Sequence, residues 1–272
     1  MALDIEQGES LVDNKEGSNI NYDHELKRVN LADRRLYRLK GTDIYYPSVT
    51  TILSALPADP MFLQWLAEVG KGAEVIRNRA AREGSAVHEG IEQLLAGEQL
   101  DWVDNFGNAR YSSAVWKMLL RFQDFYNEVK PETLASELFL YSKEHQYAGT
   151  TDGLFKVKVG DKDEIWLVDY KSSNHLNTLQ YYAQLAAYAK ALEEQKGIRP
   201  DRCGILWLKS ATRRKTINLE KGICQGEGWQ FSFVDDIDQA FKVFMLAYEM
   251  YKTIHPNELK PDTKEYPTRI KL

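Results

Sequence analysis

Two carboxylates and an amine stand where they could share a cation: Asp152, and then Asp169-Tyr170-Lys171 seventeen residues on. Carboxylates suit hard divalent ions such as Mg²⁺ or Mn²⁺, and an ion so held offsets charge on a phosphoryl group and lowers the pKa of water. The tripeptide alone carries little, because the same acid-x-Lys pattern begins at Asp13, Glu25, Glu128, Glu194, Glu258 and Asp262. Context separates Asp169 from the others. It follows Ile165-Trp166-Leu167-Val168, a run apolar on both faces and so a buried strand. Side chains alternate along a strand, so Asp169 and Lys171 share a side. Burying such a pair is costly unless a metal or substrate partners it.

The elements that must position these groups follow from the periodicity around them. Gly149-Thr150-Thr151-Asp152 reads as a turn before the strand Gly153–Val157, and a second turn at Gly160-Asp161-Lys162 leads into the strand Ile165–Tyr170. Two adjacent antiparallel strands would therefore set Asp152 beside Asp169. A further strand covers Leu134–Leu140, a helix follows over Leu179–Gln195, CGILWLKS and KTINLE give two more strands, and a helix closes the chain over Val234–Thr253. Before Pro131 the pattern is helical: Val87, Ile91, Leu94 and Leu95 fall on one face of a helix over 73–95, and Val115, Met118, Leu119, Phe122 and Tyr126 on one face of a helix over 113–129. Residues 35–49 read as a hairpin turning at Gly41-Thr42-Asp43, with Thr50 as the cap of a short helix. The class is α/β, a central mixed sheet flanked by helices with a helical N-terminal elaboration.

With the elements in this order the chain resembles the RecB-type branch of the PD-(D/E)xK nucleases. The resemblance rests on GTTDG, VDYKSS, a helix carrying Gln184-Leu185-Ala186-Ala187-Tyr188, and Gly84-Ser85-Ala86-Val87-His88 upstream. Pro47-Ser48-Val49-Thr50 is similar to the PSVT segment of the mitochondrial genome maintenance exonuclease group and its phage-like relatives. It spans roughly residues 45–210 and implies a restriction-endonuclease-like core. It further implies His88, Asp152 and Asp169 as ligands of one or two Mg²⁺ or Mn²⁺ ions, with the Tyr170 carbonyl as a fourth, and Lys171 as the group that orients or deprotonates water or stabilises the phosphorus. Glu137 matches an acidic position of several relatives, as second-metal ligand or as orienter; an edge-strand surface charge is the other reading. Gln184 and Tyr188, one turn apart, would line the site, with Gln180 on the same stripe near the DNA backbone. Ser48 and Thr50 would contact phosphate or else cap their helix, and Arg77 and Arg82 would contact DNA.

The implied activity is hydrolysis of DNA from single-stranded or frayed ends by in-line attack of water, leaving a 5′-phosphate, in replication, repair or recombination and in a phage or prokaryotic setting. A catalytically silent DNA-binding or recombination module and a PD-(D/E)xK endonuclease are the alternatives. The departures from the family are instructive. Cys203 and Cys224 cannot supply the four ligands of an iron–sulfur cluster, and no G-x-x-x-x-G-K-[ST] loop accompanies the domain.

Composition bounds these readings. The chain has 272 residues, 43% hydrophobic and 28% charged, which suits one nuclease domain over residues 26–255 between a flexible tail at 1–25 and an extended one at 256–272. No apolar run is long enough to span a membrane, and the N-terminus lacks a basic, then apolar, leader, so an intracellular, cytoplasmic chain without a membrane partner is expected. The net charge of -5 argues against a general nucleic-acid coat. Local basic stretches at 27–40, 71–82 and 213–215 read individually as solvated faces.

Overall fold

The computed structural model describes residues 26–30 and 34–256. The expected tails, 1–25 and all of 256–272 except Pro256, lie outside the described residues. Three short strands come first, β1 (Leu26–Asn30), β2 (Arg35–Leu39) and β3 (Tyr45–Pro47), paired antiparallel in that order. The expected hairpin joins β2 to β3 through Gly41, whose φ of 76° a side chain would resist. Helix α1 (Val49–Leu53) is capped by Ser48, whose hydroxyl accepts the Thr51 N–H. Thr50 therefore lies inside the helix, not at its cap: Ser48 has the extended backbone that a cap needs.

Three more helices follow. Asp59 caps α2 (Pro60–Val69), with proline at the first position where its missing N–H costs nothing. Next come α3 (Ala73–Leu95) and α4 (Ser113–Val129), with the apolar faces expected of them. After Pro131 the chain runs β4 (Glu132–Ser142), β5 (Tyr147–Val159), β6 (Lys162–Lys171), α5 (Thr178–Lys196), β7 (Arg202–Trp207), β8 (Thr216–Asn218), β9 (Ile223–Gly226), β10 (Trp229–Phe233) and α6 (Ile237–Ile254).

The last seven strands form one mixed sheet in the order β4-β5-β6-β7-β10-β9-β8. Only β6 and β7 run parallel within it, joined across α5 as a parallel pair requires. Two expectations fail here. Gly149–Asp152 is not a turn, because β5 extends back to Tyr147 and pairs with β4 throughout. The strands β9 and β10 were not foreseen, although Trp229, Phe231 and Phe233 alternate as strand residues do.

Alternation also sorts the core into two layers. Leu154, Leu167 and Ile205 face α1, α5 and α6, whereas Phe155, Trp166, Val168 and Leu206 face α3 and α4. The small sheet joins the large one through a bridge between Ser48 and Ala148 and a hydrogen bond between the Tyr37 and Thr150 hydroxyls at 3.0 Å. Cys203 and Cys224 are buried in opposite layers as free thiols, which burial pushes up to about 12. No described helix is long and apolar enough to cross a membrane.

Tyr188 of α5 packs on bare backbone at Gly149, where a Cβ would come within 2.4 Å of its ring. Gly149→Ala must push β5 and α5 apart. The expected result is a loss of about 1–3 kcal/mol, read as a lower urea midpoint at unchanged slope. An unchanged midpoint would show that the ring gives way freely.

Candidate active site

The site begins where a ladder stops. Strands β5 and β6 pair as far as Gly153 and Val168, and the next rung would be Asp152 opposite Asp169. There the two strands part. Beyond the split, the backbone groups that β6 turns toward β5 need other partners. Side chains supply them: the Tyr170 N–H donates to Asp152 Oδ2 at 2.6 Å, the Tyr170 carbonyl lies 3.1 Å from His88 Nε2, and the Thr151 hydroxyl reaches the Val168 carbonyl at 3.4 Å.

His88 arrives from α3, two turns before the helix ends, and its Nδ1 lies 3.4 Å from Asp152 Oδ1. Both ring nitrogens thus face acceptors, which only the imidazolium satisfies as a double donor. Burial acts to lower its pKa, but the charge and hydrogen bond of Asp152, with Asp169 beyond, outweigh this and raise His88 to about 9. Burial likewise works against Asp152, and the nearby His88 and Lys171 cations with the Tyr170 N–H hold that carboxyl below its usual value.

Asp169 is almost wholly buried and belongs to a second set of contacts. Gln184 Nε2 donates to its Oδ1 at 2.9 Å and also reaches the Tyr188 hydroxyl at 3.2 Å. Lys171 Nζ stands 2.5 Å from Oδ2 as a contact ion pair. Burial and the neighbouring Asp152 prevail over Lys171 and lift Asp169 to about 6. Lys171 goes the other way: burial favours its neutral form, and the two aspartates overcome that and raise it. It is held as a cation, suited to stabilise charge and ill suited to accept a proton.

Glu137 sits on β4 between Ser136 and Leu138, which pair with Gly153 and Thr151. Its φ is 51°, a left-handed backbone that a side chain adopts at a cost of roughly 1–2 kcal/mol. Burial and then Asp152 raise its carboxyl to about 7 against the pull of His88. One ligand atom each from His88, Glu137 and Asp152 all lie within 4.8 Å of one another. The expected ligand set was His88, Asp152, Asp169 and the Tyr170 carbonyl. His88, Asp152 and that carbonyl do come together, and Glu137 stands with them, while Asp169 is engaged by Lys171 and Gln184. An imidazole and two carboxylates crowded together fit a divalent cation.

The residues expected at DNA lie outside this cluster, with no hydrogen bond or ion pair to it among the described residues. Ser48 is buried with its hydroxyl engaged by Thr50 and Thr51, and Thr50 is exposed. Gln180 and Asn177 cap the start of α5 together. Arg77 and Arg82 are exposed on α3. Two neighbours of the site were not foreseen: Tyr181, whose ring lies under Lys171, and Arg28 on β1, which feels both Arg35 and Glu137. Neither belongs to a motif, and only tertiary packing brings them in.

No protein-family model and no curated protein matches the chain. Geometry must therefore carry the functional reading.

The raised Glu137 makes a pH-dependent prediction. An unfolded glutamate releases its proton near the ordinary value of 4.5, the folded one near about 7. Its stabilising proton is thus fully present below 4.5 and lost as pH rises through 7. In metal-free buffer Glu137→Gln should match the parent's stability at pH 4 and exceed it at pH 8 by on the order of 3 kcal/mol, read as a higher melting temperature. A difference that does not vary with pH would contradict the assignment.

Proposed function

We propose that the chain is a metal-dependent nuclease of the PD-(D/E)xK type, acting on DNA with free or single-stranded ends. The observation that carries this reading is the meeting of His88, Asp152, Asp169 and Lys171 where β5 and β6 part, from three separate stretches of sequence. The run of α4, β4, β5, β6, α5 and β7 around one mixed sheet, with carboxylates on the second and third of those strands, is the core arrangement the resemblance implies.

Asp152, Asp169, His88 and Glu137 are the residues that would hold a divalent cation, which when bound supplies charge to the scissile phosphate and lowers the pKa of water. The chain's own groups do the rest. Lys171, kept charged, faces the developing negative charge on phosphorus. Gln184 fixes Asp169 through one oxygen and is itself held against Tyr188, so the carboxylate keeps its direction.

Single-stranded substrate is favoured by the arm beside the site. No residue of α2 is buried, and residues 74–82 of α3 are all exposed. Both feet of this arm rest on the segment just after Lys171. Asp59 lies 3.5 Å from His175, and Gly84 packs on Ser172 so closely that a Cβ would sit 3.1 Å from its hydroxyl. On the arm Phe62 stacks with Trp65 at 5.9 Å, Arg77 covers Phe62, and Lys71 and Arg82 are exposed. Rings with cations beside them are what unpaired bases and their backbone bind.

Labelled linear DNA, single- and double-stranded, incubated with Mg²⁺ or Mn²⁺ tests the reading. Cleavage is expected with at least one metal, with Lys171→Ala lowering kcat by about 10²–10³-fold. Cleavage with neither metal, or the parent rate in Lys171→Ala, sinks it. A circular single strand should survive; its cutting would make the enzyme an endonuclease.

A further inference from the structure

We propose that Tyr181 is a positioning residue for Lys171, its ring acting as the seat that keeps the ammonium beside the phosphate site when Asp169 turns to a cation. The inference rests on the reading of the site just given and adds a residue that no motif marks.

Two neighbours hold Lys171 Nζ among the described residues. One is Asp169 Oδ2, and the other is the Tyr181 ring, whose centroid lies 4.7 Å away. The two behave differently during a reaction. A lysine carries a point charge on a flexible stem and has no directional fork to hold it. If Asp169 engages a metal, its attraction for the ammonium is shared and weakened, and an ion pair alone would release the lysine. The face of an aromatic ring attracts a cation through its quadrupole and loses nothing when a metal binds elsewhere.

Placement supports a specific role. Tyr181, Gln184 and Tyr188 lie three and four residues apart on α5, one stripe of the helix. Along that stripe Tyr181 meets Lys171, Gln184 meets Asp169, and Tyr188 meets Gln184. One rigid helix thus addresses the cation, the carboxylate and the amide between them. Tyr181 is half-buried against the α5 layer of the core, and no hydrogen bond of its hydroxyl is found among the described residues. The ring is therefore the working part, and phenylalanine should replace it.

The test compares Tyr181→Phe and Tyr181→Leu in the full chain, with kinetics on labelled single-stranded DNA and Mg²⁺ or Mn²⁺. Phenylalanine is expected within about twofold of the parent. Leucine, which fills the same apolar space without the quadrupole, should lower kcat about tenfold at little change in KM. The same substitution in a Lys171→Ala background should add nothing, since the two act as a unit. Leucine at the parent rate, an undiminished loss in the Lys171→Ala background, or a phenylalanine variant as slow as leucine would overturn the proposal. A readout independent of turnover is the Lys171 Cε–Hε resonance in ¹³C-lysine-labelled protein. It should be ring-shifted in the parent and in Tyr181→Phe and return among the other lysines in Tyr181→Leu; no shift in the parent also overturns the proposal. A shifted resonance in a protein that cleaves no DNA would uphold Tyr181 and remove the nuclease reading instead.

Discussion

The whole site depends on one interruption in a β-ladder. Past Gly153 and Val168 the strands β5 and β6 separate, and the peptide groups of Tyr170 lose the partner strand they would otherwise have. Buried peptide groups do not stay unpaired without a cost of about 1–3 kcal/mol each. Asp152 takes the N–H and His88 faces the carbonyl, so two groups placed to do chemistry also close the sheet where it opens. Their removal would expose this double duty, since neither can leave without stranding a backbone partner. A regular pair of strands could not have offered this opening. The carboxylate of Asp152 needs the room that the missing rungs leave.

That arrangement concentrates charge. Glu137, Asp152 and Asp169 stand close together against His88, Lys171 and the more distant Arg28, and burial has lifted two of the three acids, Glu137 to about 7 and Asp169 to about 6. Glu137 adds a left-handed backbone within a strand, a conformation that persists only where the surroundings enforce it. Such features lower stability without improving packing. Under the proposed function, a bound cation would neutralise the acids and take the proton's place at His88.

Much of this could be read from the chain, and the limits of that reading have physical causes. The two long N-terminal helices carry strong periodicity, and their apolar faces lie where the pattern puts them. The Asp169–Lys171 pair was legible because an apolar run forces the strand inside. The course of β5 was not: glycine and two threonines read as a turn, but Gly149 is bare so that Tyr188 can pack on it, a contact between residues far apart in sequence that no local rule contains. The strand β1 and the pair β9 and β10 are short, and short runs carry little periodic signal. Glu137 was left ambiguous for a related reason. Its position in β4 says edge strand, and only the backbone twist at that residue brings its carboxyl to His88 and Asp152.

The crossover after β6 explains why the remaining groups gather so compactly. A parallel partner for β6 can be reached only by leaving the sheet, crossing its face and returning, and here the crossing element is α5. It starts seven residues after Lys171, with Asn177 as its cap, so its first turns must pass over the end of the strand that carries Asp169 and Lys171. The stripe through Tyr181, Gln184 and Tyr188 is the face of α5 that meets the site. Helix α3 has no such obligation. It lies in the opposite layer and reaches the same point only because β5 and β6 have parted, which lets His88 touch both Asp152 and the Tyr170 carbonyl. The site is thus complete only when both helical layers have docked, and its assembly is a consequence of the finished fold.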